Sequence, residues 1–187
     1  MPVTRKQQHR LDPRLPLVLD TRELGRRPGS MREVRFPAPA PEGLGLELIT
    51  VPTGSDIDLD LRLESVMEGV LVSGTATVDL VGECGRCLET VSDTLTVDLQ
   101  ELYAYDESEV EEDEAARMEG DHLDLEPLLR DQVVLALPIT PLCRQDCPGL
   151  CSECGERWDT LPEDHAHGTA DPRWAGLADL MKNDEEN

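Results

Sequence analysis

A chain of 187 residues with two Trp, two Tyr and one Phe has room for one domain with tails, and too few aromatics for a base-stacking platform. A formal net charge of −23 excludes a body that holds nucleic-acid phosphates by charge, and the lack of an apolar run of about 18 residues excludes a membrane-spanning helix. The charge is uneven: residues 1–35 carry nine Lys/Arg against four Asp/Glu, a net of +5, and the remainder carries −28. Such a body attracts basic proteins, with simple solubility as the bland alternative.

In chain order, residues 1–15 read as a flexible basic arm. Arg5, Lys6 and Arg10 are its candidate RNA contacts. The start, M-P-V-T-R-K-Q-Q-H-R, has no apolar stretch behind its charges, so no secretory signal is expected. L-P-L-V-L-D predicts a short strand, and the turn-rich segment after it holds Arg26 and Arg27, in a basic RNA-contacting loop or in a solvated turn. F-P-A-P-A-P-E-G-L-G, residues 36–45, reads as a proline-rich connector.

From residue 46 to about 103 the period is two. Ile57, Leu59, Leu61 and Leu63 alternate with charges; Val70, Val72, Ala76, Val78 and Leu80 alternate with Thr75, Thr77 and Asp79; Leu95, Val97 and Leu99 alternate with Thr94, Thr96 and Asp98. Each run predicts a strand with one buried face, and E-C-G-R-C-L lies at the turn of a long antiparallel hairpin, where Gly85 is expected to relieve the backbone. Residues 106–121 hold nine Asp/Glu and one Arg and predict a solvated acidic loop. A helix near 124–137 follows, capped by Asp124, with Pro127 in its first turn and Leu125, Leu128, Leu129 and Val133 at helical spacing. After an irregular Cys/His segment, Asp171 and Pro172 open a C-terminal helix with the stripe Trp174, Leu177, Ala178 and Met181. The fold class is α+β, mainly an antiparallel β-sheet that a barrel-like closure would also satisfy. It carries two short helices and a zinc-binding C-terminal segment, arranged as an arm (1–15), a β-rich domain (16–140) and a Cys/His unit (141–187).

The cysteines carry the chemistry. Cys84 and Cys87 form one C-x-x-C; Cys143, Cys147, Cys151 and Cys154 follow, and then His165 and His167. A C-x-x-C turn gives two thiolates from one tight loop, and zinc takes four such ligands in a closed structural site. Eight candidate ligands suffice for one or two structural Zn2+ ions. The partition we expect joins Cys151, Cys154, His165 and His167 in a local Cys₂His₂ site and leaves Cys84, Cys87, Cys143 and Cys147 as a Cys₄ site between hairpin and C-terminal segment. One mixed site with spare cysteines is the alternative, as are two plain surface histidines, and disulfides would require an oxidising compartment. A thioredoxin-type C-x-x-C belongs at a helix start, whereas the first pair here joins two strands. No phosphate loop, dinucleotide fingerprint or Cys–His catalytic motif is present, so neither an enzyme nor a small-molecule substrate is expected. Arg86, Arg144, Arg157 and Arg173 lie near the ligands, either to meet phosphates or to pair with adjacent acids.

C-G-R-C-L, then P-L-C-R-Q-D-C-P-G-L-C-S-E-C-G, then D-P-R-W-A-G-L, in that order, resembles the bacterial YceD family, the large ribosomal RNA subunit accumulation proteins. L-D-L-E-P-L-L-R fits as well, and L-D-T-R-E-L-G-R-R-P-G-S-M is similar to the actinobacterial members; the likeness covers about residues 15–182. The resemblance implies a cytoplasmic ribosome-biogenesis factor that supports 23S rRNA accumulation, with precursor 23S rRNA or a large-subunit ribosomal protein as partner and no membrane. Many relatives carry Cys-x-Cys where this chain has His165-x-His167, a swap that keeps zinc-ligand chemistry; others lack much of the C-terminal cluster, which makes the metal a stability device. Two other readings stay open: an acidic chaperone for a small basic ribosomal protein, and a zinc- or redox-responsive regulator.

Overall fold

The structure is a computed structural model and describes residues 11–105 and 115–167. Its strands are β1 (Val18–Asp20), β2 (Met31–Pro39), β3 (Ile49–Thr50), β4 (Asp56–Ser65), β5 (Gly69–Glu83), β6 (Thr90–Ala104), β7 (Ala116–Arg117) and β8 (His122–Asp124), followed by helix α1 (Glu126–Ala136) and a 3-10 turn, Trp158–Thr160. The main sheet runs β2-β4-β5-β6-β7, β3 pairs the far end of β5, and β1 pairs β8 in a second, two-stranded sheet.

The alternating runs fold as their period demands. Ile57, Leu59, Leu61 and Leu63 of β4 are buried while Asp56, Asp58, Asp60 and Arg62 are exposed. Strands β5 and β6 form a 15-residue hairpin in continuous register from Gly69↔Ala104 to Glu83↔Thr90. Leu128, Leu129 and Val133 of α1 join the same apolar core. Gly74, at φ +152, sits where a Cβ would lie 2.1 Å from the Asp60 carbonyl oxygen, so only glycine lets β4 approach β5 there. Tyr103 is buried, and its hydroxyl donates to the Asp124 carbonyl at 2.9 Å, tying β6 to the entry of α1. Burial pushes that phenol well above its ordinary pKa.

Four expectations are corrected. The main sheet is open, with β2 at one side and β7 at the other, so no barrel closes among the described strands. The connector expected at 36–45 is, through Pro39, part of β2. Prolines are tolerated there because β2 is an edge strand. Ala40 N donates to Ser55 O and Ser65 N to Ser30 O, so even-numbered residues of β2 face β4, and the missing N–H groups of Pro37 and Pro39 fall on the outer edge. The acidic loop ends earlier than expected: Ala116 and Arg117 pair in parallel with β6, and Met118 is buried. Its acidic stretch, 106–114, lies outside the described residues, as do the arm residues Arg5, Lys6 and Arg10 and the predicted helix 171–182. Among the described residues there is therefore one α-helix. Finally, Asp124 is the last residue of β8 and not the cap position, which Leu125 fills, although its Oδ1 still accepts from Glu126 N at 2.9 Å.

Candidate metal centres

Two knuckles present the thiols, and they share one backbone plan. In Cys84-Gly-Arg-Cys87-Leu88-Glu89, Cys84 N donates to Glu89 O at 2.8 Å and Leu88 N to Cys84 O at 2.9 Å. In Cys151-Ser-Glu-Cys154-Gly155-Glu156, Cys151 N donates to Glu156 O at 2.7 Å and Gly155 N to Cys151 O at 2.9 Å. The residue after the second cysteine must turn left-handed in each: Gly155 has φ +73, and Leu88 has φ +61. The expected role of Gly85 is thus corrected. Its φ is not positive; a Cβ there would lie 2.7 Å from Thr140 Cγ2, in a turn that Gly85 N ties to Pro141 O at 2.8 Å.

The first group is Cys84, Cys87, Cys143 and Cys147, the second Cys151, Cys154, His165 and His167; within each, the ligand atoms all lie within 4.8 Å of one another. Those are the two sets expected from spacing. In the first, Cys84 Sγ–Cys147 Sγ is 3.8 Å and Cys87 Sγ–Cys143 Sγ 3.6 Å. A tetrahedral Zn–S₄ centre with bonds of about 2.3 Å has edges of about 3.8 Å, so the thiols fit zinc. In the second, Cys151 Sγ–His167 Nε2 is 3.2 Å and Cys154 Sγ–His165 Nε2 3.7 Å. The His165–His167 Nε2 pair, at 2.9 Å, is tighter than the edge of about 3.3 Å that zinc–imidazole bonds imply.

The thiols differ in charge preference. Burial pushes Cys84 up, but backbone N–H groups of Cys143, Arg86 and Cys87 outweigh it and hold the thiol at about 6. Backbone N–H groups of Cys154 and Glu153, with the His165 ring, bring Cys151 to about 6. Cys143 is pushed up to about 12 by burial and by its three thiol neighbours, and burial raises Cys147. Four thiolates in one small space repel, and a divalent cation is what lets all four ionise together.

Side chains around the ligands lock the unit. Arg86 Nη1 donates to Cys147 O at 2.9 Å. Arg157 pairs with Glu89, bridging the two knuckles, and with Asp159 at 3.1 Å, while Arg144 pairs with Asp159 at 2.5 Å. These three arginines are therefore structural partners; Arg173 lies outside the described residues. Glu153 Oε2 lies 3.6 Å from His167 Nδ1, opposite the ring nitrogen that faces the site, near the imidazole but beyond hydrogen-bond distance. Trp158 meets the His165 ring edge-on at 5.6 Å between centroids. Sequence reasoning missed Glu153 and Trp158, because acids are everywhere in this chain and neither position is marked by spacing. Of the expected RNA contacts, Arg26 and Arg27 are both exposed, and Arg26 lies 4.8 Å over the Tyr105 ring and 3.6 Å from Asp121.

The class defined by fold and site is an open β-sheet carrying two Cys/His clusters, each compatible with a four-coordinate metal ion. A family model described as large ribosomal RNA subunit accumulation protein YceD matches residues 72–181, more than half the chain, and the chain belongs to that family. An uncharacterised protein of Mycobacterium tuberculosis (strain ATCC 25618 / H37Rv) is 47% identical over 170 residues, 89% of this chain and 82% of the relative. One of Mycobacterium leprae is 42% identical over 173 residues, 90% and 79% respectively, and YlbN of Bacillus subtilis is 25% identical over 115 residues, 60% and 67%. No solved structure matches significantly. No helix among the described residues is long and apolar enough to cross a membrane.

Proposed function

We propose that this protein is a non-enzymatic, cytoplasmic ribosome-biogenesis factor that supports the accumulation of 23S rRNA, with two structural zinc ions. The family match carries the reading of its role. The non-enzymatic reading is supported by the ligand sets: each offers four protein ligands, leaving no open position for a reacting water or substrate. Zinc, when bound, would supply rigidity, and the knuckle N–H groups steady the thiolates that would hold it. Deleting the gene should lower the 23S-to-16S rRNA ratio, and re-expression should restore it; an unchanged ratio would overturn the role.

A specific observation favours a protein partner over direct RNA contact. The outer face of the sheet carries Asp56, Asp58, Asp60, Asp79, Glu83 and Asp98, all exposed, in a chain whose residues after 35 sum to −28. Such a face repels phosphate and draws basic polypeptides, as an acidic chaperone for a basic ribosomal protein would.

A further inference from the structure

The outer edge of β2 is unpaired among the described strands. Because even-numbered residues bond to β4, the N–H and C=O groups of Met31, Glu33 and Arg35 point outward. The edge is guarded at one half only: Pro37 and Pro39 remove outward donors beyond residue 36, and nothing removes them at 31–35. Beside that unguarded stretch lies a groove of about 940 Å³ between β2 and β1. Val18, Leu19, Val34, Phe36 and Leu63 are the apolar residues among its lining. Its far wall is also a strand edge. Leu125 N donates to Leu17 O and Thr21 N to Asp121 O, so the Val18 and Asp20 carbonyls point away from β8.

We propose that this groove binds an extended segment of a basic polypeptide, which adds to β2 as a further strand along Met31–Arg35. A free strand edge beside a partly apolar groove fits a backbone with alternating apolar side chains, the mode in which main-chain bonds give affinity and alternate side chains fill pockets. Nucleic acid offers neither. The groove's own charges cancel, Asp20, Glu23 and Glu33 against Arg22, Arg32 and Arg35. Selection by charge then comes from the field of a chain at −23, which favours a cationic partner and disfavours a second copy of itself. The inference deepens the protein-partner reading and rests on it; the rRNA ratio tests the family role separately, so the two can fail independently.

The test uses the full chain and a labelled peptide of about ten residues alternating valine or threonine with lysine, the length of a typical strand. A matched peptide with glutamate for lysine is the control, and binding is followed by fluorescence anisotropy. Arg35→Pro deletes one outward N–H, as the native prolines do, and leaves the groove more acidic, so its charge change opposes the expected loss. We expect the basic peptide to bind Arg35→Ala at least as tightly as the wild type, and Arg35→Pro up to about tenfold more weakly than Arg35→Ala, consistent with losing a backbone bond at the seam. Hydrogen exchange on the wild type should show the Met31, Glu33 and Arg35 amides slowing when the peptide is added, a readout independent of any variant. Equal binding by Arg35→Pro, equal binding of the acidic peptide, no binding of either, or a dimer that Arg35→Pro dissolves would each overturn the proposal, the last assigning the edge to a second copy.

Discussion

Leu88 holds a backbone conformation that its counterpart Gly155 adopts freely, and it does so with its side chain 59% exposed. A side chain in the left-handed region costs about 1–2 kcal/mol, part of which glycine gives back as lost chain entropy. Leu88→Gly should therefore raise the unfolding free energy by about 0.5–1 kcal/mol in denaturant titrations. An unchanged or lower value would mean that Leu88 makes compensating contacts. Glu153 lies beside His167 and touches no Cys₄ ligand, so Glu153→Ala should weaken zinc at the distal site alone, by no more than about tenfold in chelator competition, and leave the Cys₄ site untouched. Equal weakening of both sites would contradict the assignment of Glu153 to one imidazole.

Among the elements, the β5–β6 hairpin and its neighbours set the frame on which the first knuckle sits. Gly74→Ala puts a methyl against the Asp60 carbonyl and should destabilise the protein by more than about 2 kcal/mol, since backbone on both sides must move. Tyr103→Phe leaves the Asp124 carbonyl without its side-chain donor and should cost about 1–3 kcal/mol. A change below a few tenths in thermal melts would show that water replaces the hydroxyl. Elements with strict period two were legible because burial on one face is all that a half-buried strand records: β4, β5 and β6 follow their apolar alternation. Strand β2 was not legible, because Pro37 and Pro39 argue against a strand unless their donors fall on a free edge, and parity against β4 is a tertiary fact. Strand β7 hid in an acidic stretch, its cue being only Ala116 before the buried Met118.

At the scale of the molecule, the buried residues separate into two groups. The sheet and α1 share one large apolar core, while Cys84, Cys87 and Cys147 form a second cluster, packed with Val91, Leu142 and Leu150. Removing metal should therefore unfold the segment 141–167 and leave the β-sheet standing. A strong chelator should abolish protection of the Cys143–Arg157 amides from exchange and preserve the far-ultraviolet β signal; global unfolding would mean that the sheet depends on the metal. The partition of ligands was legible from sequence because a knuckle commits its two thiols together, and only 11 residues separate Cys154 from His165. The pairing of Cys84 and Cys87 with Cys143 and Cys147 spans 56 and 63 residues, and rests on α1 and Thr140–Pro141 returning the chain to the hairpin tip, which no local pattern encodes.

Native mass spectrometry of the protein purified without added metal tests the two-site account most directly, run on the wild type, Cys84→Ser and Cys154→Ser. Two zinc ions per wild-type chain and one in each variant are expected, because closed thiolate sites hold zinc tightly and the two sets share no ligand. Less than about half an equivalent in the wild type, or a single substitution that empties both sites, would contradict it.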